Sequence, residues 1–561
     1  IKDLKNQKIA YVKLGDSEND HFVNTLKKYT KVDVISDNNL YELIKKLKPY
    51  NYVIIGFHKS NLHPWKNYKF SNKELVWLQA IARKNKVVLD VFASPYSLLQ
   101  VKNFSNIEGV VVSYQNSRLA QEISAQLLFG AIAAKGKLPV SIGPEFKEGF
   151  GITSSNLSRF EYTIPEAAGL SSKKLALIDK MADTIISEKM APGLQVFVAR
   201  NGKVVLEKSY GYHTHDKKLK VQSTDIYDLA SLTKILASLP LIMKAEEEHK
   251  IPLTASLSDV LPSFSDSNKD TVTVKEVLSH FGRLKAWIPF YKDTQDSISG
   301  KNLPFFYRKQ RTNTFRVKVA ENLFINKNYK DSIYKYIKEA DQTESAGYTY
   351  SDLGYYIFKE ALEKSYKKPL NKLADEEFYQ SLGADRTTYL PLRKFSLDEI
   401  IPTEKDDYFR NQLLQGNVHD MGAAMLGGVG GHAGLFANAN DVGKIMQMYL
   451  QKGFYGGKRY LKSETIDKFN HRYFATEKVR RGLGFDKPQL DPDVKATCGC
   501  VSDESFGHSG FTGTYTWADP KSGLLYVFLS NRVYPKMDNR GLIDSNMRTR
   551  IQQIIQDAII N

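Results

Sequence analysis

The chain has 561 residues, 42% hydrophobic and 25% charged, a balance that fits a soluble globular protein of two or three domains. Its formal net charge is +17, but the lysines are spread without a dense basic tail and no nucleic-acid motif accompanies them, so nucleic acid is not an expected partner. Two cysteines, Cys498 and Cys500, exclude a disulfide scaffold and a four-ligand zinc site, leaving a local disulfide or two free thiols, and no apolar run is long enough for a transmembrane segment.

Taken in order, Lys8–Leu14, Tyr52–Phe57, Lys86–Phe92 and Gly109–Tyr114 are short, β-rich and continuously apolar, as strands buried on both faces are. Amphipathic pieces at Leu40–Leu47, Ser71–Lys84 and Ser117–Gly130 separate or follow them. This alternation predicts an α/β sandwich domain over residues 1–150 with a mainly parallel sheet. No G-x-G-x-x-G follows the first strand, so a dinucleotide is not expected there. Residues 151–164 close a glycine- and serine-rich stretch suited to a linker.

A second domain is predicted over 165–561. It opens with a helix over Lys173–Lys189, apolar at Leu175, Ile178, Met181 and Ile185. A hairpin follows, Leu194–Ala199 and Val204–Tyr210 about an Asn201-Gly202 turn. Near the far end Tyr515–Trp517 and Leu525–Leu529 form another, and Asn546–Ile560 is a helical tail. One antiparallel sheet flanked by the first and last helices is expected, with an all-helical subdomain inserted between the hairpins.

Three short signals stand in this domain. In Asp228-Leu-Ala-Ser231-Leu-Thr-Lys234 a hydroxyl and an amine are three residues apart, about 5–6 Å at Cβ on one helical face. The second is Gly347-Tyr-Thr-Tyr350-Ser-Asp352-Leu-Gly-Tyr355, and the third Gly507-His508-Ser509-Gly510-Phe511-Thr-Gly513. A serine needs a neighbour to take its proton before it attacks, and a helix start offers N–H groups to developing negative charge.

In this order the three resemble S-x-x-K, Y-x-N and K-T-G, the motifs of the serine β-lactamase and penicillin-binding-protein family. Pro192–Gln195, Leu278-Ser-His280 and Gly430–Phe436 are similar to its class C β-lactamase, D,D-peptidase and esterase branch. The resemblance implies a penicillin-recognising α+β serine hydrolase that works through an acyl-enzyme on an amide or ester, without metal or organic cofactor. Ser231 would be the nucleophile, Lys234 would hold or relay its proton, and Tyr350, as a phenolate beside an ammonium, would be the base. His508, Ser509 and Gly510 would align substrate along a strand edge, and the N–H groups of Ser231 and Phe511 would form the oxyanion hole. Asp352 stands where the pattern has Asn, and an anion there is expected to keep Lys234 charged. His508 stands where many relatives have Lys, which removes a fixed charge and predicts pH sensitivity near neutrality.

Ala93–Tyr96, Val110–Gln115, Leu128–Ala131 and Gly136–Pro139 resemble the C-terminal α/β domain of family 3 glycoside hydrolases. That resemblance implies an upstream glycosidase barrel in the full-length chain, as in β-N-acetylglucosaminidases, and a peptide substrate such as a peptidoglycan fragment. It also implies a bacterial periplasmic or cell-envelope address. Since the sequence opens on Ile1 without a signal-peptide pattern, a processed form or a fragment is expected. The rival readings are a non-catalytic peptidoglycan-binding or scaffold module and an activity residing in the glycosidase.

Overall fold

The structure, a computed structural model, describes residues 1–63, 65–344, 347–491, 494 and 496–560. Two units divide it: Ile1–Glu161 with Gln380–Asp385 and Tyr455–Lys458, and the remainder. In the first, β1 (Ile9–Gly15), β2 (Val32–Val34), β3 (Tyr52–His58), β4 (Lys86–Phe92) and β5 (Ile107–Val112) make a parallel sheet in the order β2-β1-β3-β4-β5. Helices α1 (Asp20–Tyr29), α2 (Leu40–Leu47), α3 (Asn72–Ala82) and α4 (Arg118–Leu128) alternate with the strands. Val53, Ile54 and Ile55 are all fully buried, which is why the strands read as unbroken apolar runs. Ser71 and Glu74 form the capping box that starts α3, and Ser117 caps α4. The α1–β2 pair escapes the sequence pattern: α1 starts without a side-chain cap and β2 has three residues.

The second unit is built on a six-stranded sheet. Its strands are β6 (Glu161–Tyr162), β7 (Gly193–Arg200), β8 (Lys203–Gly211), β11 (Phe506–Ser509), β12 (Tyr515–Asp519) and β13 (Leu524–Ser530), in the order β11-β12-β13-β7-β8-β6. Between β8 and β11 in sequence lie β9 (Tyr227–Asp228) and β10 (Leu435–Ala437), which pair with each other. Asn201 and Gly202 both take positive φ, 51° and 77°, as the β7–β8 turn requires. Ile178 and Ile185 of α5 (Leu177–Ser187) and Ile551 and Ile555 of the last helix (Met547–Asp557) bury their apolar stripes with Val196, Val198 and Phe528 of the sheet. The insertion between the hairpins carries α6 (Leu239–Glu247) and α7 (Leu353–Tyr366), but also short strands such as Val317–Ala320 and Leu323–Ile325. Cys498 and Cys500 are disulfide-bonded. Among the described residues, no helix is long and apolar enough to cross a membrane.

Two fully buried polar groups mark β3 and β4. His58 has its ring nitrogens 2.9 Å from the Tyr11 hydroxyl and 2.8 Å from the Asn116 side chain. Asp90 accepts from Ser113 at 2.7 Å and from Ser124. Burial pulls His58 down to about 4 and pushes Asp90 up to about 7. Between these values the folded unit holds a proton on Asp90 and none on His58, whereas the unfolded chain does the reverse. Their contributions to the pH dependence of stability therefore cancel. Asp90→Asn is expected to unmask the histidine. The opening free energy of β3 and β4 amides, by hydrogen exchange in the intact chain, should then rise with pH up to the ordinary histidine range, by at most about 1.4 kcal/mol per unit. A slope no steeper than wild type would show that these two groups do not oppose one another.

Candidate active site

The first motif is a strained turn. Leu229 N–H donates to Leu435 O at 3.0 Å, extending the β9–β10 pairing, and Ala230 then takes φ 46°, a left-handed conformation costly for a residue with a β-carbon. Asp228 holds it there, its two carboxylate oxygens accepting from Ala230 N at 2.9 Å and His419 N at 2.7 Å. The third motif closes over the turn. Thr512 and Thr514 hydroxyls donate to the carbonyls of Asp228 and Leu229 at 2.7 and 3.0 Å, and a β-carbon on Gly510 would stand 2.6 Å from Leu229 O. Ser231 emerges half-buried at the start of the helix, and Lys234 opens a wider π turn, Lys234–Ser238, that runs into α6. Among the described residues, the N–H groups of Ser231 and Phe511 have no hydrogen-bond partner.

Lys234 is fully buried and its Nζ donates to Ser231 Oγ at 3.0 Å, Asp352 Oδ1 at 2.6 Å and His432 O at 3.4 Å. It also lies 5.0 Å from the centroid of the Tyr350 ring. Asp352 sits at the N-terminus of α7, where its side chain makes no cap and serves Lys234 instead. The loop carrying Tyr350 is pinned by His280, whose carbonyl accepts from Thr349 N at 3.0 Å and whose Nδ1 accepts from Ser351 N at 3.1 Å. Burial pulls the Lys234 ammonium down, but the Asp352 carboxylate, then Tyr350, more than offsets this and holds it above the usual lysine range. The expectation of a charged Lys234 agrees with this balance.

Two expectations change. Burial pushes the Tyr350 phenol up, and Lys234 and Arg481, opposed by Asp352, do not bring it back. The resting site therefore holds a phenol, not the phenolate read from the sequence. His508 is likewise held well below the histidine range, by burial first and then by Arg481 and Lys234, so it does not titrate near neutrality. Its Nδ1 donates to Ser509 O at 2.7 Å, leaving Nε2 as a buried acceptor with no partner among the described residues. Its ring is 5.9 Å from that of Tyr350. β11 is an edge strand of the sheet, paired outward among the described residues only by the Gly507–Asp486 bridge, so exposed Ser509 presents the next edge position. Phe511 is half-exposed, resting on His419 and Arg532.

All eight sequence-predicted residues thus belong to one neighbourhood. Sequence reasoning passed over Asp228 as a clamp, His280 as a pin, and Arg481 with Asp486. Asp228 and His280 stand inside motifs quoted from the sequence, Asp228–Lys234 and Leu278–His280, which could have flagged them, whereas no local signal marks Arg481 or Asp486. His419 and His432 pair with Glu404 and Asp420 at 2.9 and 2.7 Å, so they brace the site's walls. In Trp287–Tyr291 the tryptophan is exposed, while Phe290 and Tyr291 are core.

A family model described as Beta-lactamase matches residues 182–547. The chain is 28% identical over 415 residues to the "N-acetylmuramyl-L-alanine amidase" of Bacillus subtilis (strain 168), covering 69% of this chain and 87% of that protein. It is 29% identical over 397 residues to a "Putative D-alanyl-D-alanine carboxypeptidase" of Salmonella typhi, covering 67% and 86%. Among solved structures, "A class C beta-lactamase" superposes with TM-score 0.50 at 16% identity over 70% of this chain and 97% of its own. Simvastatin synthase (LovD) from Aspergillus terreus does so with TM-score 0.50 at 15% identity, covering 69% and 98%. At these identities the structural likeness is one of fold.

The strain at Ala230 has a direct test. Glycine takes a positive φ without a β-carbon clash, so Ala230→Gly is expected to stabilise the second unit by about 1 kcal/mol in urea unfolding. A variant no more stable than wild type would mean that the turn stores no strain.

Proposed function

The chain belongs to the beta-lactamase family, and from that premise we propose that it is a serine hydrolase that forms an acyl-enzyme on Ser231. The observation that carries this reading is the contact set of Lys234, which joins the Ser231 hydroxyl to Asp352 beneath the Tyr350 ring. Ser231 Oγ attacks the substrate carbonyl while its proton passes to the Tyr350 oxygen, which must first have lost its own. The N–H groups of Ser231 and Phe511, free of other partners among the described residues, receive the oxyanion. Collapse breaks the carbonyl–leaving-group bond, and Tyr350 returns the proton to the departing amine or alcohol. Water then releases the acyl group by the same path. Lys234 stays an ammonium throughout and acts by its charge and its hydrogen bond to Oγ.

The substrate we propose is a cell-wall peptide amide, or an ester of similar shape, in a bacterial cell envelope. The amidase and carboxypeptidase named above support this, and so does the resemblance of residues 1–150 to a cell-wall glycosidase domain. A binding module without turnover is the second reading, favoured by the departures at two motif positions, Asp352 where the family pattern has Asn and His508 where many relatives have Lys. Intact-mass measurement after treatment with a fluorescent penicillin or a fluorophosphonate separates the two. Wild type should gain one adduct and Ser231→Ala none; an adduct retained by the alanine variant would reject the assignment.

The protonation balance adds a second test. Acylation requires the Tyr350 proton to leave, so its rate should rise with pH above neutrality. Asp352 helps to keep that proton in place. Asp352→Asn removes that anion but also the partner that holds Lys234 charged, so the direct variant is 2,3-difluorotyrosine at position 350, whose more acidic phenol is expected to move the ascending limb to lower pH. A limb that does not move would contradict Tyr350 as the base.

A further inference from the structure

Lys234 and Asp352 form an ion pair that is neutral as a whole, so it brings no net charge to the Tyr350 phenol. Both imidazoles near that ring, His280 at 4.6 Å and His508 at 5.9 Å between centroids, are held neutral, by burial first and by neighbouring cations. The remaining charge comes from Arg480, Arg481 and Asp486, two cations sharing one carboxylate. Arg480 grips Asp486 in a fork at 2.8 and 3.1 Å. Arg481 is 4% exposed at its side chain and lies 3.3 Å from the same carboxylate. Its guanidinium carbon stands 5.2 Å from the centroid of the Tyr350 ring, and its Nε donates to the Tyr348 hydroxyl at 3.2 Å. Nη1 is buried without a partner among the described residues. A guanidinium does not give up its proton even when buried, so this charge is fixed at every working pH.

We infer that Arg481 is a positioning residue for acyl transfer, its fixed charge stabilising the anionic form of Tyr350 that accepts the Ser231 proton. The inference rests on the acyl-enzyme reading given above. It also explains how the site works with a neutral imidazole at 508. The other titratable groups facing the phenol are Lys234, Asp352 and Tyr355, of which only Lys234 favours the anion. With Arg481 gone, burial and Asp352 would be opposed by Lys234 alone.

The test is the rate at which a fluorophosphonate phosphonylates Ser231, with loss of fluoride, at pH 7 in the full chain. Arg481→Met should react about tenfold or more slowly, one unit in the acidity of the phenol being tenfold in the anion. Arg481→Lys should keep most of the rate. Replacing Tyr350 by 2,3-difluorotyrosine, whose phenol is more acidic, should restore most of the rate to Arg481→Met. Because that variant leaves Asp486 with one partner fewer, the double variant Arg481→Met/Asp486→Asn should show the same loss and the same rescue. A loss that the fluorinated phenol leaves unchanged, or no loss at all, overturns the role of Arg481. Wild type that is never labelled overturns the acyl-enzyme reading on which the role depends.

Discussion

Lys234 is fully buried, and its ammonium persists there because Asp352 answers it at 2.6 Å. The rest of the site is arranged about that contact. An ammonium has three hydrogens to place, and here they go to Asp352, to a main-chain carbonyl and to Ser231 Oγ. The Ser231 hydroxyl is therefore oriented by a donor whose other two directions are already fixed by the fold. Removing one partner of such a pair leaves an uncompensated buried charge, typically about 3–5 kcal/mol. On the acyl-enzyme reading proposed above, a lysine so placed orients and stabilises the Ser231 oxygen, and proton acceptance falls to the phenol beside it.

The same contact explains why three segments far apart in sequence must converge. Ser231 and Lys234 meet within one turn, and the left-handed Ala230 that leads the chain into that turn is held by Asp228 and by hydroxyls from the third motif. Gly510 is needed because a β-carbon would meet the Leu229 carbonyl. The glycine and the threonines of the third motif thus serve the nucleophile's turn as much as any substrate, while exposed Ser509 is left for the open strand edge.

Much of this was legible beforehand, and the reason is locality. S-x-x-K places two groups on one helical face within a single turn, and apolar runs report parallel strands buried on both sides. The three-residue strand β2 is too short to show a period, and the helix before it starts without a side-chain cap, although its buried Phe22, Val23, Leu26 and Tyr29 are spaced along one helical face. Electrostatics were less legible for a related reason. Asp352 beside Lys234 could be read from the motif, and its consequence followed. Arg481 lies well over a hundred residues from Tyr350, so nothing local announced that a guanidinium would face the ring or that His508 would be sealed from water.

What decides charge in both units is whether burial comes with a partner of opposite sign. His58, Asp90, His280 and His508 are buried among neutral hydrogen-bonding groups or beside charges that disfavour ionisation, and each is shifted toward its uncharged form. Lys234, Arg481 and Asp486 are as deeply buried but paired, and each is shifted toward its charged form. Tyr350 sits between these cases, desolvated like the first group yet faced by cations like the second, with Asp352 weighing against them. Its protonation is thus set by opposing neighbours, and on the acyl-enzyme reading any pH dependence of the chemistry should follow the phenol and not the histidine.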